Sequence, residues 1–296
     1  TPGIDVYARG VHVMVNAQGL RGPAIATRPA PGVHLVLALG DSVTFGERLA
    51  VEEAFPALLE RELAARTGER WEVLNAGVDG YNTEAELAFL RQRGLPLAPE
   101  TVVVCFNLND YDQTPALGPL NILTRDPAAR LSARSLASHS EFYFLLRWLV
   151  MTRGRPFGNP EAVPAGFAPR PGERFSAFDR YVSALRTRYY ARPRDGRWQV
   201  MVDSLRGLGE TARARGLRLV IAIQPDGDQV GVPDPDLLPQ RKVLAICAEA
   251  GLDCLDLYPV FAAAARDGEL FFDIVHPNAA GHRLIARALA DHLLGG

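Results

Sequence analysis

Lysine is almost missing from this chain: Lys242 is the only one among 296 residues. It lies in a helical-looking stretch at 239–250 with no glycine-rich loop ahead of it, which argues against a lysine-bearing phosphate loop and against Schiff-base chemistry. An excess of charge is missing too. With 34 acidic against 32 basic residues, no global field exists to hold nucleic acid or an anionic membrane, so nucleic acid is not an expected partner. Cysteine is scarce. Cys105 falls in an apolar run, and Cys247 and Cys254 show neither CxxC spacing nor a histidine cluster, so no metal is expected and all three are expected as buried thiols. No long hydrophobic run exists either: the longest, residues 142–151, is broken by Arg147 and falls far short of the ~20 residues of a membrane span. The sequence begins with Thr1 rather than methionine, which leaves room for a removed export signal or membrane anchor.

What is there is apolar material in a regular order. Hydrophobic residues make up 48% of the chain, enough for one large α/β core. Five short apolar runs, 34–39, 71–74, 102–106, 217–223 and 252–257, have the length and residue types of buried parallel strands. Helical patterns separate most of them: Phe55, Leu58, Leu59 and Leu63 recur at helical spacing, Thr83 with Glu86 forms a capping box opening a helix through Leu90, and further helices are expected at 199–215, 239–250 and 278–294. This alternation predicts an α/β fold, a doubly wound three-layer α/β/α sandwich on a five-stranded parallel sheet, with ligands beyond the carboxyl ends of the strands. Residues 1–32 stand outside the pattern as an N-terminal extension to a 33–296 domain, and residues 111–197 as an insertion. The insertion holds an apolar piece at 142–150, a Gly/Pro-rich stretch at 154–172 and the aromatics Phe175, Phe178, Tyr181, Tyr189 and Tyr190; it reads as a lid or substrate wall, or else as a cover for a sheet edge.

Four segments carry chemistry. Gly40-Asp41-Ser42-Val43-Thr44-Phe45-Gly46 sets Ser42 just past a buried strand and ahead of a helical stretch, where a hydroxyl nucleophile meets backbone N–H groups. It is not the G-x-S-x-G elbow, because Thr44 stands where that motif needs its second glycine. Near the far end, Asp273-Ile274-Val275-His276 lets a carboxylate reach Nδ1 of His276 across a tight turn and leaves Nε2 free to accept a serine proton; Asp256 is a rival partner that ranks behind Asp273. The second and third strands end in Asn75-Ala76-Gly77-Val78-Asp79-Gly80 and Asn107-Leu108-Asn109-Asp110, both on the edge that carries Ser42. An acyl-transfer site needs uncharged donors there for a tetrahedral oxyanion, and a glycine N–H and an asparagine amide supply them.

In order and spacing these four segments resemble the conserved blocks of the SGNH/GDSL hydrolases. The resemblance spans residues 40–278 and implies a flavodoxin-like SGNH hydrolase fold with Ser42, His276 and Asp273 as the triad. It implies an oxyanion hole of the Ser42 N–H, the Gly80 N–H (with Gly77 the fallback) and the Asn109 amide. The third block usually reads Gly-x-Asn-Asp, and here Asn107 replaces that glycine, which brings bulk next to the site. No metal or organic cofactor is implied. The expected substrate is a small acyl ester, acetyl on a carbohydrate among them. The alternatives are acyl transfer to a sugar hydroxyl and a non-catalytic binding module on the same fold. The stretch 16–22 is similar to one in bacterial members that follow an export signal or anchor, so an extracytoplasmic home is expected, with a cytoplasmic one as the alternative.

Overall fold

The computed structural model describes residues 2–8, 10–25, 29–111, 175, 177–193, 196–266 and 268–295. By internal contacts, Thr1–Gln113 and Arg186–Gly296 form one unit and Thr114–Leu185 a second. Of the second unit only residue 175 and residues 177–185 are described. The lid expected around 142–150, and the Gly/Pro-rich stretch beside it, lie outside the described residues.

A hairpin of β1 (Ile4–Ala8) and β2 (Val11–Val15) opens the chain. The expected five strands follow as β3 (Val33–Gly40), β4 (Arg70–Gly77), β5 (Thr101–Phe106), β6 (Arg218–Ile223) and β7 (Asp253–Asp256). They pair in parallel in the order β4-β3-β5-β6-β7, the flavodoxin-like arrangement. Strand periodicity sorts the side chains into two cores. Leu35, Leu37, Leu39, Val102, Val104, Ile221 and Ile223 face one side; Val36, Ala38, Val103, Cys105, Val220 and Ala222 face the other. The first layer packs on α3 (Thr83–Phe89), α5 (Gly196–Arg215) and α6 (Leu238–Ala250), and the second on α2 (Phe55–Thr67) and α8 (Ala279–Gly295), numbering α1 as Ser42–Phe45, α4 as Ala177–Ala191 and α7 as Tyr258–Ala264. Each Leu or Ile that is fully buried in these layers contributes roughly 1.5–3 kcal/mol.

Three local expectations change. Asn82, not Thr83, caps α3: its side chain accepts the Ala85 N–H, while Thr83 and Glu86 are carried inside the helix and fully buried. The buried Glu86 carboxyl does not reach back to Thr83 to close the expected box, and the Asn82 side chain takes the capping role instead. Cys247 and Cys254 are not free thiols but a disulfide, since the turn at Gly251 returns the chain from α6 into β7 with the two Cα atoms 6.3 Å apart. Cys105 stays a buried thiol. Within the expected insertion, Tyr190 is fully buried in the first core, edge-on to Tyr111 and Trp198, and Tyr189 stacks on Tyr111 at 3.9 Å, so these two aromatics pack the main body.

Candidate active site

The strand order reverses at β3, which lies between β4 and β5, and the carboxyl ends of all three strands carry motif residues. β3 runs into Asp41, whose side chain accepts the Val43 N–H at 2.8 Å and so starts α1 at Ser42. As the first residue of that helix, Ser42 has a backbone N–H with no partner inside it. The two neighbouring strand ends come too close for side chains: a Cβ on Gly40 would lie 2.1 Å from Thr44 Oγ1, and one on Gly77 2.1 Å from the Phe45 nitrogen. Asn75 ties this corner together by donating to Thr44 O at 2.9 Å and accepting the Gly77 N–H at 3.0 Å.

His276 arrives on the loop between α7 and α8. An antiparallel bridge between Phe271 and Pro277 closes the loop, with Phe272 N–H donating to His276 O at 2.8 Å. The end of β6 supports it from beneath, because Gln224 donates to Val275 O at 3.0 Å and Gly227 N–H to Ile274 O at 2.7 Å. Ser42 Oγ lies 2.9 Å from His276 Nε2, and His276 Nδ1 lies 2.8 and 3.0 Å from the two oxygens of Asp273. Asp273 also accepts the backbone N–H groups of Val275 and His276. Burial pushes the Asp273 carboxyl upward, but the hydrogen bond and charge of His276, with those two N–H groups, outweigh it and hold the acid well below the usual carboxylate range. Asp256 is occupied elsewhere: it accepts the Tyr258 N–H at 2.9 Å at the start of α7.

The other motif residues divide. Gly77 has its N–H engaged by Asn75, whereas Gly80 sits in a left-handed turn after β4. At the end of β5, Asn107 and Asp110 close a turn through Asn107 N–H to Asp110 Oδ2 and Asp110 N–H to Asn107 O, both at 3.0 Å. Asn107 is fully buried and does not have a positive φ, so the backbone here does not demand the family's glycine. Asn109 is half-buried, and its Oδ1 is buried without a hydrogen-bond partner.

Three contacts escaped the sequence reading. Glu47 Oε2 lies 3.1 Å from His276 Nε2, and Arg48 Nη2 lies 3.2 Å from Asp273 Oδ2. Arg21, from the N-terminal extension, is buried with its guanidinium on the carbonyls of Phe45, Gly46 and Leu49, and burial lowers its pKa to about 10 while Glu52 opposes the shift. For Glu47 and Arg48 the only signal available was adjacency to the Ser42 segment, and for Arg21 its place in the 16–22 stretch. Among the described residues no group of acids, cysteines and histidines could hold a metal ion.

Residues 38–284 match the GDSL-like lipase/acylhydrolase family. Among solved structures, the chain is similar to a single-residue variant of Axe2, an acetyl-xylooligosaccharide esterase from Geobacillus stearothermophilus, at 16% identity and a TM-score of 0.50 over 89% of this chain and 94% of that one. It is also similar to the acetyl xylan esterase AlAXEase, at 14% identity and a TM-score of 0.49 over 88% of this chain and 99% of that one. No curated protein matches the sequence. The likeness to the Axe2 variant concerns the fold alone; the family match covers most of the chain, including the segments of Ser42, Gly80, Asn109, Asp273 and His276, and by it the protein belongs to the GDSL-like lipase/acylhydrolase family, as an esterase of the SGNH type.

Proposed function

We propose that this esterase works through Ser42 as nucleophile, His276 as base and Asp273 as the group that orients the histidine, on a short acyl ester, with acetyl on a carbohydrate as the favoured class. The observation that carries the reading is the unbroken line of contacts from Ser42 Oγ through both ring nitrogens of His276 to Asp273. In that line Ser42 Oγ attacks the ester carbonyl as its proton passes to Nε2, and Asp273 steadies the imidazolium that forms. The oxyanion takes hydrogen bonds from the Ser42 and Gly80 N–H groups and the Asn109 amide; Gly77 drops out because its N–H is already used. Nε2 then protonates the leaving alkoxide, and water activated by the same nitrogen cleaves the acyl-enzyme.

The Cys247–Cys254 disulfide supports placing the protein outside the cytoplasm, since such bonds form and persist in oxidising compartments. The test of function is a fluorophosphonate probe followed by acetyl, butyryl and octanoyl esters of one alcohol. Labelling of the native chain, its loss in Ser42→Ala and a rate highest for acetyl are expected. Labelling retained in Ser42→Ala overturns the nucleophile, and a rate that climbs with chain length overturns the short acyl group.

A further inference from the structure

The segment that leaves α1 turns sharply. Gly46 and Arg48 both have left-handed backbone conformations, with φ of 80° and 65°, and only the first is a glycine. A side chain held in that region marks a place where surrounding contacts impose the geometry. The turn sets Glu47 and Arg48 on the catalytic pair: Arg48 meets Asp273, and Glu47, whose side chain is only 13% exposed, meets His276 at Nε2. The Glu47 backbone is pinned as well, its N–H donating to Ser42 O at 3.1 Å.

Glu47 has no part in the acyl chemistry above. Its carboxylate lies at the same nitrogen as Ser42 Oγ, at 3.1 Å against 2.9 Å, and a second acceptor there does not help to deprotonate the serine. The position matters for another oxygen. When the ester breaks, the leaving oxygen must come within hydrogen-bond reach of Nε2 to collect its proton. Two oxygens each about 3 Å from one nitrogen stand at most about 6 Å apart. A hydroxyl on the carbon next to the one bearing the ester spans that gap: it donates to Glu47 while the ester oxygen faces Nε2, and the carboxylate exchanges its contact with the histidine for one with the substrate. Phe272, next to Asp273 in sequence, is 44% exposed with the Arg48 guanidinium 5.8 Å from its ring centre, and offers an apolar face for the carbon skeleton of such an alcohol.

We propose that Glu47 is a specificity residue that accepts a hydrogen bond from a hydroxyl adjacent to the ester, so that the alcohol part of the substrate is a vicinal diol of the kind found in sugars and polyols. This rests on the Ser42–His276 esterase reading. The hydroxyl keeps its proton throughout; the leaving oxygen takes its own from Nε2.

The experiment compares three acetates of nearly equal size: propyl acetate, 2-methoxyethyl acetate and 2-hydroxyethyl acetate. The last two have leaving groups of similar reactivity, and only the last can donate a hydrogen bond. The native enzyme is expected to favour 2-hydroxyethyl over 2-methoxyethyl acetate in kcat/KM by about tenfold or more, as a hydrogen bond to a charged acceptor predicts. In Glu47→Ala that ratio falls to about one, and Glu47→Gln, which still presents an oxygen, keeps part of it. Fluorophosphonate labelling of each variant confirms a folded nucleophile. Equal rates on the two esters in the native enzyme, or an equal loss on both in Glu47→Ala, overturn the proposal while the esterase reading stands. A native chain that neither labels nor hydrolyses any of the three overturns both.

Discussion

Two groups of carboxyls flank Ser42, and they behave oppositely. Asp273, on the histidine loop, is half-buried and held below its ordinary range, because three hydrogen bonds and the charge of His276 favour its ionised form over the cost of burial. Asp41, Glu86 and Asp110, beneath the strand ends, are fully buried and displaced upward: Asp41 to about 6, Glu86 and Asp110 well above the carboxylate range. Burial leads each shift, and in Glu86 and Asp110 the neighbouring acids add to it. The difference is the supply of donors. Both oxygens of Glu86 are buried without a hydrogen-bond partner, and at Asp110, with one oxygen in the same position, the Asn107 N–H and the charge of Arg186 offset only part of the lost hydration. The same residue type is thereby a fixed anion on one side of the nucleophile and a group driven toward its protonated form on the other.

Substitutions that neutralise one carboxyl at a time test this contrast most directly. Asp273→Asn removes an acid that is ionised, and turnover is expected to fall by about 10⁴-fold in a chain that still folds but with a lower melting temperature at pH 7, since the amide favours the wrong histidine tautomer and cannot steady the imidazolium. If Asp256→Asn proved the more damaging change, the pairing would be wrong. Next in size is Asn109→Ala, expected to cost about 10²-fold to 10³-fold in kcat with little change in KM, because its amide is asked to act only as the oxyanion forms. A lower melting temperature with unchanged kcat per folded molecule would reduce Asn109 to a strand-end cap.

A smaller effect comes from a base under the same burial. His282 is fully buried, accepts the Phe55 N–H on Nδ1, and has its pKa pushed down from 6.5 to about 3 by burial first and by the charges of Arg21 and His276 second. Its folded value is the lower one, so its contribution is complete above pH 6.5 and is lost as pH falls from there toward 3, with roughly 2 kcal/mol gone at pH 5. Urea unfolding at pH 7 and pH 5 should show that loss in the native chain and a reduced loss in His282→Gln; equal slopes would mean that the ring is charged in the folded protein. Smallest of all is Glu86→Gln, which replaces a carboxyl already biased toward neutrality and should move the unfolding free energy by no more than about 1 kcal/mol at pH 7. A loss of several kcal/mol would place Glu86 with Asp273 among the ionised acids.

Much of the molecule is determined by order along the chain. A buried strand writes itself as an apolar run, so β3 to β7 could be read within a few residues, and a strand-end motif is fixed in space once its strand is. Ser42 was legible for that reason, and Asp273 with His276 for another, since a separation of three residues needs no tertiary partner to close. Other features depend on which face meets which. The Asn82 cap over the Thr83 alternative follows from the burial of Glu86, and the Cys247–Cys254 bond from the return of α6 into β7 at a spacing that carries no signature. The placement of Glu47 and Arg48 on His276 and Asp273 joins positions at opposite ends of the sequence through a turn that only packing holds left-handed. Sequence determined which groups could do the chemistry, because hydrogen-bonding capacity belongs to residue type. Tertiary structure alone decided their charge states and their second contacts, because those depend on how much water each group loses and on which donors replace it.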